Sequence, residues 1–312
     1  MVHFAIAVRI LKLMEIDSTS DLLRFLNITS ETLSFEQRTA LDESGFLIIR
    51  PSEKYLSGLG INTGEISEAL DRLTDLEGWR GGQEGKEDWV SPERSLDPGS
   101  NRLANLIEKH SCFSKIITVP EIIAAVHHVI RDELKVGAVD MREPRKGTGH
   151  QRIHIDWLAR ECEESSYDCV FVGFFLDGMN AENGAIRVVP GSHRWLGWPD
   201  AHFDVNMTHP AEIQVAVEPG TFIVMNANTW HAGAVNPSGK RRRTVYVDYR
   251  KRALPQLLNQ KQYLSKQTIE RLSPAEQFLL GVREKDPISE TKSFGPGAAY
   301  RQWLASRGSV HQ

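Results

Sequence analysis

The hydrophobic period of this chain changes near Val136, and that change constrains the fold more than any other feature. Before it, apolar residues recur at helical spacing: Ile122, Ile123, Val126 and Ile130 share one face of a segment opened by Pro120. Beyond it come short runs rich in Val, Ile, Phe and Tyr, at Cys169 to Leu176, Ala185 to Val189, Gln214 to Val217, Thr221 to Met225 and Thr244 to Tyr249. Turn clusters bound them: Asp177-Gly178, Pro190-Gly191-Ser192, Glu218-Pro219-Gly220 and Asn236-Pro237-Ser238-Gly239. Several short strands separated by turn signals predict an antiparallel sandwich or barrel. A helical layer precedes it.

Within that layer, Ser34-Phe35-Glu36-Gln37 reads as a capping box, because Gln37 can reach back to the cap. The helix it opens is expected to run to Ser44, with Gly45 closing it before the strand Phe46 to Ile49. Between Glu77 and Ser100 lie many Gly, Glu, Asp and Pro residues, expected to form a long polar loop of the kind that serves enzymes as a lid. A helix is expected near Arg102 to Lys109, and another from Pro120. From Leu254 the pattern is helical and polar, then loose after Asp286. The expected organisation is one domain over residues 1–312: a helical extension at 1–32, a core at 33–252 and a helical segment at 253–312.

The net charge of -4 gives no global field that would draw the chain to nucleic acid or an anionic membrane. The three cysteines, Cys112, Cys162 and Cys169, show no CxxC spacing and read as reduced thiols, so a cytoplasmic location is expected. The apolar stretch Phe4 to Met14 is interrupted by Arg9 and Lys12 and is too short to span a bilayer. It lacks the order of a secretory signal and is expected to be an amphipathic helix.

The chemistry concentrates in Gln151-Arg152-Ile153-His154-Ile155-Asp156-Trp157. On an extended strand the side chains alternate, so His154 and Asp156 point to the same side. A distant third ligand, His231, would complete a 2-His-1-carboxylate facial triad, which leaves one face of an iron(II) ion open. His150 and His154 stand at i and i+4, a helical zinc spacing, but the zinc-protease motif needs Glu after the first histidine. Gln151 occupies that position and Gly147-Thr148-Gly149 breaks a helix, so the helical zinc site is rejected.

Around these residues the chain resembles the phytanoyl-CoA dioxygenase family of iron(II)/2-oxoglutarate oxygenases. The segment ENGAIRVVPGSHRW (Glu182 to Trp195) is similar to that family's most characteristic stretch, and LSFEQRTALDESGFLIIR (Leu33 to Arg50) to its usual opening helix and strand. The resemblance covers roughly Leu33 to Arg252. It implies a mainly β fold with flanking helices around a double-stranded β-helix, or jelly-roll, core. It implies iron(II), 2-oxoglutarate and O2 as cofactor and co-substrates, His154, Asp156 and His231 as metal ligands, and Arg242 as anchor for the far carboxylate of 2-oxoglutarate. A buried carboxylate calls for a charge-assisted, bidentate partner, which guanidinium geometry supplies. Arg243 is the rival, since a register slip of one would turn it inward. Gln151 stands where several family members place an amide touching the co-substrate. Many members carry Ser or Thr two residues after the distal histidine; here Gly233 stands there, so that hydroxyl contact comes from elsewhere or is absent.

The resemblance implies hydroxylation of a small organic metabolite; desaturation, epoxidation and cyclisation start from the same oxidant. Asp156 keeps a carboxylate where halogenating relatives have a small residue, which argues against halogenation. The alternative is a β-helix protein that binds a metal or small molecule without turnover. The run Lys240-Arg241-Arg242-Arg243, with Arg250-Lys251-Arg252, has the composition of a nucleic-acid patch, but it leads into a strand in an acidic chain, so no nucleic-acid partner is expected. No membrane partner is expected either, and the oligomeric state is left open. His193 is expected to be structural. The loop from His193 to Pro210 is expected to cover the site, and Trp157 to line the substrate pocket, with Trp198 undecided.

Overall fold

The structure, a computed structural model, describes residues 15–84 and 99–287. The expected amphipathic helix at the start, most of the expected lid loop and the stretch after Pro287 lie outside the described residues. The elements run in order α1 (Thr19–Phe25), α2 (Phe35–Ser44), β1 (Phe46–Ile49), α3 (Glu53–Gly58), α4 (Thr63–Glu77), β2 (Ser100–Leu103), α5 (Leu106–Lys109), α6 (Pro120–Ile130) and β3 (Leu134–Pro144). They continue with β4 (Cys169–Phe175), β5 (Arg187–Val188), β6 (Ile213–Gln214), β7 (Thr221–Asn226), β8 (His231–Ala232), β9 (Thr244–Lys251), α7 (Gln260–Tyr263), α8 (Lys266–Arg271) and α9 (Pro274–Leu280).

Local chemistry sets several boundaries. The Ser34 hydroxyl accepts from the Gln37 N–H while Gln37 reaches back to the cap, so α2 starts as the capping box predicts. It stops at Gly45, whose φ of 82° is left-handed and disfavours a side chain. Pro120 opens α6, where its missing N–H is not needed. Asn62 caps α4 by accepting from the Glu65 N–H.

Six strands form one antiparallel sheet in the order β1-β7-β4-β9-β3-β2, and three short strands form a second in the order β6-β5-β8. This is the jelly-roll core with flanking helices that the resemblance implied. Alternation divides the large sheet into two faces. One face carries Val136, Val139 and Met141 of β3, Val170, Val172 and Phe174 of β4, Phe222 and Val224 of β7 and Val245, Val247 and Tyr249 of β9. These join α6 residues Ile122, Ile123, Val126 and Ile130 in one core, each large side chain contributing about 1.5–3 kcal/mol. Phe278, Leu279 and Leu280 of α9 join the same core, so the C-terminal helices are packed in rather than merely polar.

One expected helix is corrected. Arg102 and Leu103 belong to β2, where Ser100 to Leu103 pair with Pro144 to Met141; only Leu106–Lys109 is helical. The exposed edge of β3 supplies the ladder that overrides local preference.

Candidate active site

The second face of the large sheet floors a cavity of about 470 Å³. Strand register sets its floor in rows. Arg102, Arg142, Thr244 and Phe175 are successive cross-strand partners on β2, β3, β9 and β4. The next row holds Asp140, Tyr246, Gly173 and Ile223, and the next Ala138, Asp248, Phe171 and Met225. All of these but Thr244 line the cavity.

Over this floor lie His154, Asp156 and His231, whose ligand atoms fall within 4.8 Å of one another. The His154 Nε2 is 3.6 Å from Asp156 Oδ1, and the His231 Nε2 is 3.2 Å from Asp156 Oδ2. The expectation that His154 and Asp156 sit on a strand needs correction. His154 makes a single antiparallel bridge with His231, each N–H donating to the other's carbonyl at 2.9 and 3.0 Å, and no longer ladder forms there. The Asp156 N–H is held separately, by the carbonyl of Ala227 at 2.8 Å. The backbone is extended enough to keep both side chains on one side, and the bridge puts the distal histidine directly opposite.

Both imidazoles are oriented by carbonyls. The Nδ1 of His154 lies 2.9 Å from the Arg152 carbonyl, and that of His231 lies 2.9 Å from the Thr229 carbonyl. A carbonyl only accepts, so each Nδ1 carries the proton and each Nε2 offers its lone pair to the centre of the cluster. Burial, followed by the neighbouring His231 charge, pushes His154 down to about 4. Burial would raise the Asp156 carboxyl, but His231 beside it, through charge and hydrogen bond, holds it well below the carboxylate range. Burial lowers His231, and the Asp156 charge more than restores it, so its net shift is upward. An anionic carboxylate between two imidazoles whose Nε2 atoms converge fits a divalent transition metal, leaving the cavity side open. His150 lines the same cavity but does not join the cluster.

Arg242 and Arg243 take opposite faces. Arg243 donates to Asp177 through Nε at 2.9 Å and through its terminal nitrogen at 2.5 Å, and to Asp71 at 2.9 Å and the Ser67 hydroxyl at 2.8 Å on α4. Arg242 lines the cavity, is only 7% exposed, and makes no hydrogen bond or ion pair with the described residues. Burial accordingly pushes its guanidinium below the usual arginine value. The rest of the basic run is internally paired: Lys240 with Glu182, Arg241 with Glu143 and Asp71, Arg250 with Asp248, Lys251 with Asp168 and Arg252 with Asp286.

Gln151 lines the cavity, and its Oε1 accepts from the Gly233 N–H at 3.0 Å, which leaves the amide NH2 without a partner among the described residues. A Cβ at Gly233 would stand 2.4 Å from the Gly149 carbonyl and 2.9 Å from Gln151 Oε1. The loop carrying Gln151 thus occupies the space that a serine or threonine would need.

Trp157 does not line the cavity, and the expected substrate contact is corrected. Its ring is 3% exposed, packs with Cys169 and Ala227, lies under Arg250 and donates from Nε1 to Asp168 at 3.1 Å. Trp198 is buried with Ile153, Ile155 and Trp230, and no residue of the 193–210 stretch lines the cavity. His193 is buried against α2, with Nε2 at 3.2 Å from the Asp42 carbonyl. Asp140, Arg142, Phe171, Tyr246 and Asp248 belong to the cavity and were not singled out in the sequence. The signal was present in β3 and β9, where polar residues alternate with buried apolar ones.

Comparison with known proteins places this site. The model of the phytanoyl-CoA dioxygenase (PhyH) family matches residues 41–244, well over half the chain. Dioxygenase af480 of Aspergillus fumigatus is 24% identical over 226 residues, covering 71% of each protein. Dioxygenase aneA of Aspergillus aculeatus is 30% identical over 131 residues, which are 41% of this chain and 40% of that protein. Among solved structures, HygX of Streptomyces hygroscopicus with nickel and 2-oxoglutarate superposes with a TM-score of 0.54 at 16% identity, over 71% of this chain and 88% of that one. The α-ketoglutarate-dependent carbocyclase SnoK from nogalamycin biosynthesis gives 0.52 at 20% identity, over 72% and 86%. The solved structures share the fold, and the family match over the residues that carry the triad decides membership: the chain belongs to the phytanoyl-CoA dioxygenase family of iron- and 2-oxoglutarate-dependent dioxygenases.

Proposed function

We propose that this chain hydroxylates a small organic metabolite, using iron(II) held by His154, Asp156 and His231 and 2-oxoglutarate held by Arg242 and Gln151. The observation that carries this reading is the buried guanidinium of Arg242, without a partner among the described residues, in the cavity that contains the triad. A protein that only binds metal gains nothing from such a group, whose burial is costly until an anion pairs with it. Iron in this ligand set, with 2-oxoglutarate and O2, supplies an oxidant for C–H bonds and converts the co-substrate to succinate and CO2.

The chain's own residues orient and select. Arg152 and Thr229 carbonyls fix the imidazole tautomers, Arg242 meets the far carboxylate, and the NH2 of Gln151, without a partner among the described residues, is available to the co-substrate. Asp156 keeps a carboxylate in the ligand set, so no position is given up to a halide. Hydroxylation is the simplest outcome of C–H oxidation; desaturation, epoxidation and cyclisation start from the same oxidant, and SnoK is named a carbocyclase.

The test is the anaerobic visible spectrum with iron(II) and 2-oxoglutarate, followed by succinate release in air. A charge-transfer band is expected in the wild type and should be lost in His231→Ala. A wild-type protein that binds iron but shows no band with 2-oxoglutarate would make it a metal binder instead.

A further inference from the structure

A second convergence of metal-ligating side chains lies away from the cavity. Glu65 in the first turn of α4, His110 just after α5 and Cys112 in the 3-10 helix Ser111–Thr118 each offer one ligand atom, and these atoms fall within 4.8 Å of one another. None of the three residues lines the cavity of the triad. The Glu65 side chain is 48% exposed, that of His110 29%, and Cys112 is buried, so the group opens to solvent on its carboxylate side.

Its hydrogen bonding sets an acceptor against an acceptor. The Cys112 N–H donates to His110 Nδ1 at 3.3 Å, so Nδ1 is the unprotonated ring nitrogen. That nitrogen faces Glu65 Oε1 at 3.9 Å, too far for a hydrogen bond and with no proton to share. A lone pair against a carboxylate is unfavourable until a cation lies between them. The thiol narrows the class of cation. Thiolate, imidazole and carboxylate together suit zinc, whereas magnesium and calcium take oxygen ligands. Tetrahedral zinc, with bonds of about 2.0–2.3 Å, spaces its ligand atoms about 3.4–3.6 Å apart. The imidazole and carboxylate need to close by only about half an ångström to reach that spacing, which a half-exposed glutamate supplies by rotation.

We propose that Glu65, His110 and Cys112 form a second metal site, which binds zinc(II) and keeps its fourth position for water. The metal ties the start of α4 to the turn after α5. Ser67 and Asp71, which hold Arg243 beside the co-substrate anchor, lie on the same α4, so the tie steadies the helix behind that arginine. Burial, followed by the Glu65 charge, pushes the Cys112 thiol up to about 12, so it carries its proton in the metal-free protein at neutral pH. On binding, the S–H bond breaks, the sulfur bonds the metal and the proton passes to solvent. The Cys112 N–H, released from Nδ1, then favours the thiolate of its own residue. The site is independent of the iron and 2-oxoglutarate reading.

The experiment titrates the metal-free full-length chain with cobalt(II) under argon, cobalt standing in for zinc because it adds a visible and near-ultraviolet spectrum. The triad has no sulfur, so a thiolate-to-cobalt band reports the second site alone. The wild type is expected to show that band, zinc(II) to bleach it, His231→Ala to keep it and Cys112→Ser to lose it. Glu65→Gln and His110→Gln alter partly exposed side chains, so they carry the test even if Cys112→Ser does not fold; each should weaken cobalt about tenfold or more. In His231→Ala, where the triad is broken, zinc should also raise the urea midpoint, and adding Glu65→Gln should cancel that rise. The proposal is overturned if the wild type shows no thiolate band, or if the band survives Cys112→Ser, which would give it to another cysteine. Unchanged cobalt affinity in either Glu65→Gln or His110→Gln overturns it as well.

Discussion

Exchanging the two adjacent arginines for glutamine, one at a time, separates structure from function at neighbouring positions. Arg243 is anchored by Asp177, Asp71 and Ser67, with its side chain 6% exposed and that of Asp177 17% exposed. Arg243→Gln strands the Asp177 carboxylate, which costs about 3–5 kcal/mol for a buried pair broken from one side, while the half-exposed Asp71 keeps Arg241. Arg242→Gln breaks no ion pair, so its stability should change by less than about 1 kcal/mol, and upward if anything, because a buried unpaired charge is removed. Its co-substrate affinity should fall by about 2–5 kcal/mol, the cost of truncating one partner of a buried hydrogen-bonded charge pair, or roughly thirtyfold to a few thousandfold. Urea unfolding reads the first quantity, and anaerobic 2-oxoglutarate titration of the charge-transfer band reads the second. The two variants should fail in opposite assays. The reasoning is refuted if Arg242→Gln keeps its affinity within about threefold, or if it is destabilised as much as Arg243→Gln.

Two further outcomes follow from close contacts. Gly233→Ser puts a Cβ against the Gly149 carbonyl and Gln151 Oε1, so the Gln151 amide must move; 2-oxoglutarate affinity should drop about tenfold or more, and an unchanged titration midpoint would show that the loop yields. His193 is buried with Nδ1 unpartnered, and burial pushes it down to about 4 from 6.5, so its folded state favours the neutral ring. Its contribution is complete above pH 6.5 and is lost as pH falls toward 4, up to about 3 kcal/mol. His193→Gln should therefore show a shallower fall of urea midpoint over that window, and parallel wild-type and variant curves would refute it.

Much of the site was legible because its signals are short-range. The Ser34 capping box, Gly45 and Pro120 each act within one turn of chain, and each boundary stands where local chemistry puts it. His154, Asp156 and His231 were readable as residue types in a pattern, and Arg242, eleven residues beyond, through the resemblance to the family. The cap at Asn62 and the apolar spacing of Ile66, Ala69, Leu70 and Leu73 in α4 were equally readable, although that helix was not delimited.

What the sequence determined by itself was the change of period, hence the helical layer and β core, and the set of residue types able to hold a metal and an anion. The tertiary structure decided which of those residues meet. Residues 100–103 became a strand because β3 had an open edge, and His154 met His231 through one bridge rather than a ladder. Trp157 turned toward Asp168 and away from the cavity. Arg243 was claimed by carboxylates on α4 and just after β4, while Arg242 and Arg142 were left facing the cavity. The physical reason is the range of the interactions. Capping and alternation are set by a few neighbouring residues, whereas the partner of a charge is set by whichever distant element the fold brings within hydrogen-bond reach.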